Sequence, residues 1–455
     1  MTGRHDARYY LPKFTRLEER VAARATGKLR DYSRQSAGGA TPKAEEKEKY
    51  YSDDPETGIP FIRVQNLSVS GELSLDDVKL INLETHHGML ARSHVGPDDL
   101  LTKITGVGRM AVSSVPPPGF QGNINQHLVR IKTKDRHTSE VLAAYLNTDI
   151  AEQLATRRAT GGTRPALDYP ALRSIPIIFD ERILPVVRSA RERRNQRLGE
   201  AAALLASIDD YLLSELGITL PPETENTLAD RTFHVRAHEL GGWRFDPPVH
   251  KSKFSLTSEK LDSVPLSRVC NVNPLTSFGG LHDNDMAGFV PMDAISDRLG
   301  IVEYLGERRV EECVGYTTFR DNDVLWAKIT PCMENGKSAV VRGLTNGVGF
   351  GSTEFHVIRP RNSAVMPEYV HALLRMGRLR REAKRFFTGS SGHRRVDEDF
   401  LKKLIVPVPP VETQERLVQE IRARREQAIE LQNAAAAELE VAKRKIEAVL
   451  LGDAA

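Results

Sequence analysis

The feature that most constrains this chain is that its sequence occurs twice. Residues 98–112 (DDLLTKITGVGRMAV) return as residues 323–340 (DVLWAKITPCMENGKSAV), and residues 123–131 (NINQHLVRI) return as residues 352–360 (STEFHVIRP). Thr160-Gly161-Gly162 returns as Thr388-Gly389-Ser390, Ile175-Pro176-Ile177 as Val406-Pro407-Val408, and residues 180–184 (DERIL) as residues 414–418 (QERLV). The order is preserved, and a period of roughly 230 residues is that of a whole domain, not of a solenoid unit. Two similar modules are therefore expected, presenting two related surfaces.

Composition narrows the class. Of 455 residues, 40% are hydrophobic and 27% charged, which describes a soluble folded chain. No apolar stretch approaches the roughly 20 residues a spanning helix needs. Residues 1–30 are rich in Arg and lack an apolar signal core, so secretion is not expected. Cys270, Cys313 and Cys332 stand alone, which argues against a metal site or a disulfide framework and predicts a cytoplasmic protein. The net charge of +3 does not by itself announce a nucleic-acid partner. Local clusters carry more weight: Arg157-Arg158, residues 191–197, residues 378–385 and His393-Arg394-Arg395, two of them beside the repeated Thr-Gly loop.

Each half reads as a mostly β, partly α module followed by a long helix. Short apolar alternation predicts strands over 59–67, 100–104 and 127–131, and helical spacing predicts a helix over 140–158. The second half repeats this order with strands over 288–295, 324–329 and 355–358 and a helix over 367–387. The expected fold class is α+β, two tandem modules related by a pseudo-twofold repeat and separated by two long antiparallel coiled-coil helices. The boundaries read as 1–180, 181–220, 221–411 and 412–455. Apolar seams mark the helices, with Leu184, Val187, Leu198, Leu205, Ile208 and Leu212 in one and Val418, Ile421, Leu439 and Ile446 in the other. Arg191 and Arg425 interrupt the seams at equivalent places. The bland alternative is that each helix packs on its own module.

Chemistry is hinted at and then fails. Residues 331–338 (PCMENGKS) echo a phosphate loop, but Pro331 stands where the first glycine must be. Residues 246–249 (DPPV) echo the tetrapeptide of amino-methyltransferases without its aromatic fourth residue, with residues 347–351 (GVGFG) as a conceivable cofactor loop. No catalytic or metal-binding constellation is identified, and no cofactor is expected in this chain.

The chain resembles the specificity subunits of type I restriction-modification enzymes. The resemblance rests on residues 6–10 (DARYY), 58–64 (GIPFIRV), 98–108, 328–337, 352–355 (STEF), 387–390 (FTGS) and 407–410 (PVPP) before Gln414. It implies two target recognition domains, each reading half of a split site in double-stranded DNA, and spacer helices that dock two methyltransferase subunits. It implies a noncatalytic chain in a complex with restriction (helicase-nuclease) subunits. S-adenosylmethionine, ATP and Mg2+ would belong to those partners, which carry adenine methylation and ATP-dependent cleavage. Two alternatives stay open: a methylation-only system without nuclease, and a two-module protein scaffold that binds no DNA.

Reading DNA takes phosphate contacts to fix register and a few polar side chains at base edges. In the first module Lys103, Thr105, Arg109, Asn123, Asn125, Gln126, Thr163 and Arg164 supply such groups. In the second they are Lys328, Thr330, Asn335, Lys337, Ser352, Thr353, Glu354, Ser390, Ser391, His393, Arg394 and Arg395. Glu354 has a competing reading, as a carboxylate paired with an arginine inside the module.

Overall fold

The computed structural model describes residues 7–222, 234, 236, 254–389 and 394–453. The chain divides into two compact units, one of residues 1–199 with 431–455 and one of residues 200–430. Each long helix, Ile183–Leu216 and Val411–Leu451, gives one part of its length to each unit. The α+β class read from the sequence is the one observed. Among the described residues no helix is long and apolar enough to cross a membrane.

In the first unit an antiparallel sheet runs in the order Gln35–Gly38, Leu128–Lys132, Leu100–Lys103, Ser113–Ser114. A second sheet runs Tyr51–Ser52, Lys79–Ile81, Ile59–Ile62, Gly122–Ile124, His94–Val95, and its one parallel pair joins Ile59–Ile62 to Gly122–Ile124. Residues 100, 129 and 131 put Leu, Val and Ile into a buried cluster with Val141, Leu142 and Tyr145. The helix expected over 140–158 is two helices, Arg136–Leu146 and Asp149–Arg158. Thr148 sits in extended backbone and its hydroxyl accepts from the Ala151 amide, so a cap restarts the helix where periodicity alone reads straight through.

The second unit repeats this plan. One sheet runs Cys270–Val272, Phe355–Pro360, Val324–Ala327, Ser338–Val340; the other runs Gly306–Arg309, Met286–Val290, Val348–Gly351, Thr317–Arg320, again with a central parallel pair. The expected helix over 367–387 is also divided, into Pro367–Arg375 and Gly377–Ala383, at Met376. Asp209 accepts from the Gly377 amide at 2.7 Å and so caps the second piece. A buried tyrosine braces each unit in the same way: the Tyr145 hydroxyl donates to the Pro176 carbonyl at 2.8 Å and the Tyr369 hydroxyl to the Pro407 carbonyl at 2.9 Å.

Within each unit the long-helix segments run antiparallel. In the first, Arg193 and Arg197 both reach Glu438, and Arg197 also reaches the Ala434 carbonyl. In the second, Arg416 pairs with Glu215 at 2.7 Å, and Arg424 donates to the Ser207 carbonyl at 3.0 Å. The seam residues do more than meet a partner helix. Leu184, Val187 and Ile446 are buried in the first unit's core, and Ile208, Leu212, Val418 and Ile421 in the second's, with Leu205 packed against it. Leu198 and Leu439 are only half-buried. Both readings of the helices thus hold together: each segment pairs with the other helix and also closes its own module.

Hydrogen bonding fixes the correspondence between the copies, and it corrects the sequence match. The Ile104 amide donates to the His127 carbonyl, and the Lys328 amide to the Glu354 carbonyl. The Asn125 side chain accepts from the His127 amide at 3.1 Å, and the Ser352 hydroxyl from the Glu354 amide at 3.2 Å. Asn125 therefore corresponds to Ser352, where the sequence match had put Asn123. Ile104 likewise corresponds to Lys328, where the match had put Lys103. A two-residue slip along a strand leaves every side chain on its original face, so alternation cannot detect it. A one-residue slip reverses the face, and Lys103 accordingly points differently from Lys328.

Candidate nucleic-acid interface

In the first unit three turns are bonded side by side. Residues 104–109 follow the strand Leu100–Lys103, residues 125–127 precede Leu128–Lys132, and residues 161–165 close a small hairpin held by reciprocal Thr160–Ala166 bonds. The Ile104 amide bonds to the second turn, while the Leu167 amide donates to the Ile104 carbonyl and the Gly106 amide to the Pro165 carbonyl. Gly106 (φ 109°) and Gly161 (φ 95°) supply the left-handed backbone these turns require. The Thr105 hydroxyl meets His127 Nδ1 at 2.6 Å, tying the first two turns together through a histidine the sequence reading had not singled out. Gln126, Thr163 and Arg164 project exposed from this cluster, and Val107 stands 78% exposed at its tip.

Four of the first unit's candidates are occupied internally. Asn123 is fully buried; its oxygen accepts from His86, and its amide donates to the Leu90 carbonyl and the Ser93 hydroxyl. Asn125 is buried as the cap of its own turn. The Lys103 ammonium is buried and donates to the Val107 carbonyl at 2.6 Å, and burial lowers its pKa. Arg109 clamps the helix break, donating to Asp149 at 2.7 Å, to the Asn147 carbonyl at 2.6 Å and to the Thr148 carbonyl. Each of these four side chains has partners within the module.

The second unit brings the corresponding turns together by the same bonds. The Val396 amide donates to the Lys328 carbonyl and the Thr330 amide to the Arg394 carbonyl, as Leu167 and Gly106 do in the first. Asn335, Thr353 and Arg394 are exposed on these turns. Gly351 delivers the Ser352–Glu354 turn, and a Cβ there would lie 2.0 Å from the Val290 carbonyl oxygen. Lys328 is half-buried; burial lowers its pKa, against the opposing charge of Glu354. The remaining candidates have internal partners. The Lys337 ammonium donates to the Met292 and Ile295 carbonyls at 3.2 and 2.6 Å. The Thr330 hydroxyl donates to Glu334, which also binds Lys384 at 2.7 Å. Ser352 caps its turn, and Glu354 pairs with Arg395, as its competing reading had it. Ser390, Ser391 and His393 lie outside the described residues, as does the segment 246–249.

Residues 269–441 match the family of the type I restriction modification DNA specificity domain. Two Escherichia coli proteins are similar to part of the chain. The type I restriction enzyme EcoAI specificity subunit is 34% identical over 154 residues, and the EcoEI specificity subunit 36% identical over 156 residues. Each match covers 34% of this chain and 26% of the relative, so it spans about a quarter of those proteins. Among solved structures, a chain from a study of complex assembly and conformational transition in the type I R-M system is 16% identical. It covers 92% of this chain and 96% of that one, with a TM-score of 0.47. The HsdS subunit from Thermoanaerobacter tengcongensis is 15% identical, covering 94% and 96%, with a TM-score of 0.35.

Fold and site define a duplicated α+β module in which each copy offers a face of polar turns. The sequence matches are partial: residues 269–441 are similar to the type I restriction modification DNA specificity domain, and about a third of the chain is similar to specificity subunits of type I restriction enzymes.

Proposed function

We propose that this chain is the noncatalytic DNA-recognition subunit of a type I restriction-modification complex. Each unit reads one half of a bipartite site in double-stranded DNA, and the chain docks two methyltransferase subunits, to which restriction (helicase-nuclease) subunits add. S-adenosylmethionine, ATP and Mg2+ serve those partners, and the reaction of the complex is adenine methylation and ATP-dependent cleavage. The observation that carries the reading is the repeated triad of turns. A shared set of backbone hydrogen bonds ties together the turns that carry Gln126, Thr163 and Arg164 in one unit and Asn335, Thr353 and Arg394 in the other. A common frame with different exposed polar groups suits two half-sites of different sequence, with basic groups for phosphates and amides or hydroxyls for base edges.

The test is methylation mapping with the methyltransferase partner and S-adenosylmethionine present. The expected result is methylation at one bipartite site, with one half alone changing when residues 250–405 are exchanged for those of a relative. Methyl transfer by the purified chain alone, or loss of both half-sites in a folded exchange variant, overturns the reading.

A further inference from the structure

Three histidines of the first unit converge on Asn123, outside the turns proposed to face DNA. His86 and His87 end the short helix Leu83–His87, and His94 opens the strand His94–Val95 at the edge of the five-stranded sheet. One ring nitrogen from each lies within 4.8 Å of the other two. The His86 and His94 rings stack with centroids 3.9 Å apart, and His87 meets His86 edge-on at 4.7 Å. A pair of adjacent histidines with a third seven residues on is visible in the sequence, but it matches no common ligand spacing, and the sequence reading passed over it.

The hydrogen bonds fix which nitrogens are available. His86 Nδ1 faces the Asn123 oxygen, which accepts only, so the proton is on Nδ1 and the lone pair on Nε2. That oxygen is aimed from behind, because the Asn123 amide donates to the Leu90 carbonyl at 2.8 Å and to the Ser93 hydroxyl at 3.2 Å. His94 Nε2 donates to the His86 carbonyl at 2.8 Å, which leaves its lone pair on Nδ1. Metal-binding imidazoles are held in this way, with the second N–H on an oxygen acceptor that sets tautomer and ring orientation. His87 is exposed, and so can swing toward the other two. A cavity of about 530 Å3 adjoins the rings, and beside the three histidines its charged lining is balanced, with Asp98 and Asp99 against Lys132 and Lys134. Simple packing accounts for a stacked pair; it does not account for a third, exposed imidazole that lines the same cavity.

We propose that His86, His87 and His94 form a three-imidazole site for a divalent transition metal of the zinc, cobalt or nickel class, with a fourth position open to the cavity. Tetrahedral zinc at about 2.0–2.1 Å from each nitrogen needs donors roughly 3.4 Å apart, so binding closes the widest pair by up to about 1.4 Å and turns the stacked His86 and His94 rings out of parallel so that both lone pairs converge. The bound ion ties the end of Leu83–His87 to the sheet edge, where His94 pairs with Asn123. From there Ile124 leads directly into the turn of Asn125, Gln126 and His127.

The test uses the full chain, stripped with a chelator and titrated with Zn2+ by calorimetry, with Co2+ absorption to report coordination. One tightly bound equivalent is expected, with tetrahedral Co2+ bands and a raised unfolding midpoint. His87→Ala, an exposed change, keeps the fold and weakens binding by about tenfold or more, and His94→Ala removes both the Co2+ bands and the midpoint shift. No binding to the wild-type chain at about 100 µM Zn2+ overturns the proposal. So does Zn2+ affinity unchanged in His87→Ala, as it would be if cysteines held the ion.

Discussion

Arg395 grips both carboxylate oxygens of Glu354, with Nε 2.8 Å from Oε2 and Nη2 2.6 Å from Oε1. Arg395 begins the strand that pairs with Phe387–Thr388, and Glu354 ends the turn that presents Thr353. The first unit has Ala166 and His127 at these places, and there the histidine bonds Thr105 instead. The two copies thus share a backbone frame but fasten it with different side chains.

Replacing Glu354 with Ala should therefore loosen one unit and leave the other unchanged. Hydrogen exchange at the Thr330 and Val396 amides is expected to accelerate, while the Gly106 and Leu167 amides stay as protected as before. In the proposed complex only one half-site should relax. Unaltered exchange at Thr330 and Val396 would show that the pair does not hold the turns.

The two buried tyrosine braces should carry similar weight. Tyr145→Phe and Tyr369→Phe each leave a buried proline carbonyl without its donor, at a cost of about 1–3 kcal/mol. Urea unfolding monitored separately for the two units checks this. A loss below about 0.5 kcal/mol in both would contradict it.

Exposed and internal basic residues should separate in a salt titration of DNA binding. Arg164→Ala and Arg394→Ala are expected to reduce the salt slope by about one each if each side chain meets a phosphate. Arg109→Ala and Lys337→Ala remove groups bonded within their units, so they should lower the unfolding midpoint and leave the slope intact in folded protein. The reverse pattern would move the interface elsewhere.

A pH dependence follows from His371. Burial, assisted by the charges of Arg425 and Arg375, holds its pKa well below the ordinary value of 6.5. The unfolded chain takes up a proton near pH 6.5 that the folded chain refuses, so stability is full above that pH and falls as pH drops below it. The loss is up to about 1.4 kcal/mol per pH unit. Denaturation midpoints at pH 7.5, 6.0 and 5.0 should show this decline, and it should be shallower in His371→Asn; an equal slope in the variant would refute the assignment.

The duplication, the α+β class and the two long helices were legible because they rest on residues whose local chemistry announces them. Glycines in left-handed turns and long apolar seams are of this kind. The register was not legible. Asn123 and Asn125 sit on the same side of an alternating strand, and only the bond from the Asn125 side chain to the His127 amide shows which one caps the turn. The internal partners of Arg109, Asp149 and the carbonyls of Asn147 and Thr148, are not legible either, because they come together only where the helix is broken at Thr148. His86, His87 and His94 gave a sequence signal too weak to read, since a chelating geometry depends on the fold bringing a helix end to a strand.

The first unit is discontinuous in sequence, and this sets an order of events on the ribosome. Ile446 and Leu450 are buried in its core, and Glu447 accepts from the Asp149 and Ile150 amides at 2.6 and 3.3 Å, capping the helix that Thr148 restarts. These residues are translated after all of residues 200–430. The nascent first unit must therefore wait, partly open and with the Asp149 and Ile150 amides short of their acceptor, while the second is synthesised and can fold. A stop codon just after residue 430 would spare the later-made unit and leave the earlier one unclosed.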